Sequence, residues 1–115
     1  MAIVIVEKLS KEDLQKARED YPEYLKITAD IVQRIVAIGG EYHADAEKIL
    51  REDYQSKKKD IWGGGYNLIL KKIETNAIVN LKPEVNDSPE ILDPVTREDF
   101  LEVVQEKLSD IELLI

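Results

Sequence analysis

At 115 residues the chain suits one domain, and 43% hydrophobic content lets it bury a modest core instead of staying disordered. Acidic side chains outnumber basic ones 24 to 16, a formal net charge of −8, and the lack of cysteine excludes a disulfide scaffold, a zinc–thiolate finger and a thiol nucleophile. The longest uncharged run, Ile61–Leu70, is too short to cross a bilayer, and Met1–Glu7 lacks the features of a signal peptide. A cytoplasmic protein with no membrane partner is the expectation.

In chain order, the β-branched segment Ala2–Lys8 predicts an opening strand. Ser10 is placed to cap a short helix, with Asp13 at its third position and Leu9 and Leu14 spaced as a hydrophobic staple. Pro22 stops that helix near Asp20. Residues 24–38 fit both periods, but their β-branched content favours two strands joined near Gln33-Arg34. After Gly39-Gly40, the common face of Tyr42, Ala46, Ile49, Leu50 and Tyr54 predicts a helix from Ala44 or Asp45 to before Ser56. Gln55–Tyr66, with three lysines and three glycines, reads as a loop. Asn67–Ile73 and Ala77–Leu81 read as strands around a Glu74-Thr75-Asn76 turn. Lys82–Pro94 is an irregular connection, and a helix from Thr96 carries the stripe Leu101-Val104-Leu108-Ile111-Ile115. The order β-α-β-β-α-β-β-α predicts an α+β fold: a small, largely antiparallel sheet with about three helices in a single domain, 1–115.

The charge is unevenly spread. Residues 84–115 hold ten acidic side chains against Arg97 and Lys107, and the remainder is neutral. Such a surface repels phosphate backbones, so duplex nucleic acid is a poor candidate partner. The only histidine, His43, stands with Asp45 and Glu47 at i, i+2 and i+4. On a strand all three share a face; on a helix His43 pairs with Glu47 while Asp45 points away. One reading is a general acid–base group or a carboxylate-rich divalent metal site. The other is a helix start capped by Asp45, and zinc is disfavoured with a single histidine and no cysteine.

Lys57-Lys58-Lys59 with Trp62 and Gly63-Gly64-Gly65 offers a second set: lysines to attract a small anion, glycine N–H groups to hold it, a ring to stack on. Neither nucleotide-binding glycine fingerprint is met, and a solvated loop beside a buried tryptophan explains the same residues. A third set, Asn76, Asn80, Lys82, Asn86, Asp93 and Arg97, surrounds the last strand; Lys82 and Arg97 together would hold a carboxylate or phosphate, whereas asparagines in turns commonly serve the backbone. There is no nucleophile elbow, EF-hand loop or H-E-x-x-H.

Gly39-Gly40-Glu41-Tyr42-His43-Ala44-Asp45, the Trp62-Gly63 pair, Asn80-Leu81-Lys82-Pro83 and Asp93-Pro94 with Arg97 together resemble a family of small prokaryotic proteins of unknown function. The similarity runs from about Tyr24 to Leu108. Gln55 before Ser56 and Lys58 after Lys57 depart from that family's Gly-Ser-Lys-Gln segment. The resemblance implies a domain and a polar cluster, not a reaction. The residues point to a binding or interaction domain without a required cofactor. The alternative is a small enzyme or metal-dependent hydrolase built on His43, Asp45 and Glu47. Ligand candidates are Lys57, Trp62, Gly63, Asn80, Lys82 and Arg97, and the apolar C-terminal stripe makes a second copy of the chain a candidate partner.

Overall fold

Alternation along one strand organises the molecule. In the computed structural model, which describes residues 2–115, β2 (Tyr24–Asp30) lies at the centre of a five-stranded antiparallel sheet. It pairs on one side with β3 (Ile35–Gly39), which pairs with β1 (Ile3–Val6). On its other side lies β4 (Ile61–Asn67), followed by the short β5 (Lys72–Glu74). Leu25, Ile27 and Ala29 stand beside Val36, Ile38, Trp62 and Tyr66 on one face, where they form the main core with Phe100, Val103 and Val104.

The helices take opposite faces. A Cβ on Gly64 would touch Phe100 of α3 (Pro94–Lys107), whereas one on Gly63 would touch His43 of α2 (His43–Asp53). Because neighbouring strand residues point in opposite directions, α3 and α2 lie on opposite sides. The main core also receives Leu14 and Ala17 of α1 (Lys11–Ala17) and Ile111 of α4 (Ile111–Leu114). Among the described residues no helix is long and apolar enough to cross a membrane.

The α+β class predicted from sequence is the one observed, with a short α4 following α3. Ser10 caps α1 and forms a reciprocal box with Asp13, and the β2–β3 connection falls at Gln33-Arg34. Five details differ. The segment read as a glycine loop is β4, because its missing side chains admit close neighbours into a central strand. The strand expected over Asn67–Ile73 is instead the end of β4, a turn held by Asn67 Oδ1, and β5. Ala77–Leu81 is not a strand but contains a one-turn helix, Ile78–Asn80. The C-terminal helix starts at Pro94, capped by Asp93, and breaks after Lys107, so that Ile111 turns back into the core. In addition, α2 begins at His43 with Tyr42 as its cap residue, and Asp45 does not cap it.

Candidate functional site

The edge of β4 beyond β5 would expose unpaired peptide groups, and a side chain occupies the place of a strand there. Asn80, fully buried, accepts the Gly63 N–H at 2.8 Å and donates to the Gly63 carbonyl at 2.9 Å. Its amide also donates to the Pro89 carbonyl at 2.8 Å. Asn86 extends the lock: its amide donates to the Asn80 and Glu90 carbonyls at 3.0 and 2.7 Å, and its Oδ1 accepts the Leu92 N–H. Buried amides satisfied in this way fix a loop rigidly. The turn Ile78–Asn80 is thereby pinned against the sheet opposite the start of α2.

Between that turn and α2 lies a cleft of about 460 Å³. His43 and Glu47, one helical turn apart, line it together, and Asp45 points away from it. Lys26 of β2 and Lys58 also line it, while Tyr42, Ile78 and Leu81 form an exposed apolar lip. His43 Nε2 lies 2.7 Å from the Gly64 carbonyl oxygen. A carbonyl only accepts, so Nε2 carries the proton and Nδ1 holds the lone pair. No described residue hydrogen-bonds Nδ1. Burial pushes the imidazole below its ordinary value of 6.5; the Gly64 contact opposes this shift and Lys26 adds to it. The ring is therefore neutral near pH 7 and presents an acceptor.

Lys82 stands behind this cleft as a brace. Its Nζ donates to the Lys58 carbonyl at 2.8 Å and sits 4.7 Å from the centre of the Trp62 ring. Burial lowers its pKa, an effect countered by Glu47 and Asp60 and reinforced by Lys58. The cation–π contact and the carbonyl hold the ammonium in a largely buried place. Glu47 forms an ion pair with Arg51 at 3.9 Å, one turn further along α2.

The sequence candidates thus divide. His43 and Glu47 come together; Asn80 holds the Ile78–Asn80 turn to Gly63, and Lys82 links the Lys58 carbonyl to the ring of Trp62, which itself belongs to the main core on the other face. The anion cradle expected from Lys57 and the glycines does not form: Gly63 N–H is taken by Asn80, Gly63–Gly65 lie in the ladder with β2, and Lys57 is exposed. Lys82 and Arg97 do not make a clamp, since Arg97 is exposed on α3 across the sheet and has no ion pair among the described residues. Nor do His43, Asp45 and Glu47 converge on a metal: among the described residues no three His, Asp or Glu side chains are grouped closely enough. Lys58, one of the three lysines expected to attract an anion, does line the cleft, whereas Lys26, Tyr42, Ile78 and Leu81 are not among the sequence candidates. For Lys26 a signal existed, because Lys26, Thr28 and Asp30 alternate with the apolar residues of β2 and mark the face turned to α2.

One protein family, described as "Protein of unknown function (DUF5674)", matches residues 3–107 of the chain. No curated protein matches it, and no solved structure does. With all but its first two and last eight residues matched, the chain belongs to this family of proteins of unknown function.

Proposed function

We propose that this chain is a small binding domain that takes a compact organic anion in the cleft between α2 and the Ile78–Asn80 turn. The observation that carries the reading is the lining: Lys26 and Lys58 share the cleft with the neutral His43 acceptor beneath an apolar lip. Two ammonium groups against the single Glu47 favour an anion, and Nδ1 asks for a donor, as in a hydroxycarboxylate. The enzyme reading has less support. His43 would act as a base, but the cleft lining holds no serine or threonine for it to activate, and among the described residues its carboxylate neighbours do not gather a metal. The cysteine-free, acidic composition supports a cytoplasmic setting, and the Gly-Gly-Glu-Tyr-His-Ala-Asp resemblance supports a prokaryotic one.

The test is an amide NMR titration with lactate and malate. Shifts confined to Lys26, His43, Lys58 and Val79, weakened in Lys26→Glu, are expected. An absence of shifts at millimolar ligand, or turnover of either compound that depends on His43, would remove the proposal.

A further inference from the structure

A second cavity lies on the other face of the sheet. It is a groove of about 570 Å³ between the β4–β5 hairpin and the α3–α4 segment. Tyr66 is part of its wall. The backbone of Tyr66 is fixed by pairing with Leu25 and Ile73, and the side chain is only 3% exposed. Its Oη is the one buried side-chain polar atom without a hydrogen-bond partner among the described residues. Buried hydroxyls are rarely left in that condition, since each has lost its water. No described protein group satisfies Oη, and the groove that Tyr66 lines is where a partner from outside the chain would approach it.

The lining describes that partner. Ile73, Leu101, Leu108 and Leu113 provide apolar panels, and Leu113 is 84% exposed. Lys71 and Lys72 stand along the hairpin side, opposed by the single carboxylate of Glu112. The wall is therefore apolar with an excess of donors and positive charge. Burial, with Glu112 adding to it, raises the Tyr66 pKa, so the phenol keeps its proton and donates.

We propose that this groove binds an amphipathic carboxylate: an aliphatic chain packs on Leu101, Leu108 and Leu113 and an oxygen accepts the Tyr66 O–H, the hairpin lysines balancing the charge. This site is separate from the α2 cleft and stands whether or not that cleft binds a ligand.

Calorimetry with octanoate, with 1-octanol as the uncharged control, tests it in the full chain. Octanoate is expected to bind saturably and more tightly than octanol, with NMR shifts at Ile73, Leu101 and Leu108. Tyr66→Phe should fold with an unchanged or higher Tm, because it removes an unpartnered hydroxyl, and should weaken octanoate binding about tenfold. Lys71→Ala with Lys72→Ala should erase the preference for octanoate over octanol. Three results would overturn the proposal: no saturable binding at millimolar octanoate, equal affinity in Tyr66→Phe, or a Tm several degrees lower in Tyr66→Phe. The second would mean that water alone serves the hydroxyl, and the third that Glu112 or another protein group already does.

Discussion

Gly64 and Gly65 are neighbours in one strand, yet they face obstacles of different stiffness. A Cβ at Gly64 would lie 2.1 Å from the Glu74 carbonyl oxygen, which belongs to the backbone of β5. At Gly65 it would meet the Tyr24 hydroxyl at 2.1 Å, the far end of a half-buried side chain that can swing outward. Gly64→Ala is therefore expected to cost about 3 kcal/mol or more and Gly65→Ala about 1 kcal/mol. Urea midpoints decide, and equal losses would refute the distinction. His43 gives a second prediction at this scale. Its folded pKa lies below the ordinary 6.5, so on acidification the unfolded chain takes up the proton first. The stability that this imidazole contributes is complete above 6.5 and is lost as pH falls through 6.5 toward the folded value. The advantage of wild type over His43→Gln in denaturant midpoint should accordingly shrink between pH 7.5 and pH 5.

Among the elements, the turns hold more of the specificity than the helices. The β2–β3 turn is organised by Asp30, whose Oδ1 accepts the Val32 and Gln33 N–H groups, each at 3.0 Å. Burial alone would raise this carboxyl, but hydrogen bonds from Ser56, Gln33 and Val32 hold it below the usual range. Its contribution is present above the unfolded carboxylate range and vanishes as pH falls through the lowered value. Gln33 in turn donates to the Tyr54 carbonyl at 3.0 Å, which ties the turn to the end of α2. Ser10 serves only α1, accepting the Asp13 N–H at 3.1 Å. Ser10→Ala should cost about 1 kcal/mol, a typical cap loss, and Asp30→Ala distinctly more, since it frees two turn N–H groups and unlinks Gln33. Chemical denaturation of the two variants side by side checks the order.

For the whole molecule, the uneven charge meets its complement within the chain. Arg34 reaches from the β2–β3 turn to Glu106 and Glu102 of α3, and Lys107 lies 3.8 Å from Glu7. These pairs contribute little stability and are weakened by salt; the Arg34 contacts lessen the repulsion along the acidic helix, whereas Lys107, a base of that helix, is engaged by an acid from outside it. The C-terminal stripe is likewise used internally. Val104, Leu108 and Ile111 are buried in the main core, Leu101 packs against it, and of the last residues Leu113 is the most exposed. Little of the stripe remains for a coiled-coil partner to cover. Light scattering at micromolar concentration is expected to return the mass of one chain; a dimer mass would overturn this expectation.

Local interactions made much of this molecule readable in advance. The α+β class, the box at Ser10 and Asp13, the hairpin at Gln33-Arg34 and the shared face of His43 and Glu47 on α2 all depend on residues within a turn or two of each other. What the sequence could not reveal depends on distant neighbours. Glycines at 63–65 look like a turn until Glu74, Phe100 and Tyr24 occupy the space their side chains would need. Asn80 looks like a turn residue until its amide completes the edge of a strand 17 positions away. Lys26 and Lys58 join His43 only because β2, α2 and the Lys58 segment converge on one cleft, and the Tyr66 hydroxyl becomes an unpaired donor only when α3 and α4 close over the sheet. Spacing along the chain encodes faces and caps, whereas burial and clefts are set by long-range packing, and the candidate chemistry of this protein lies in the second kind.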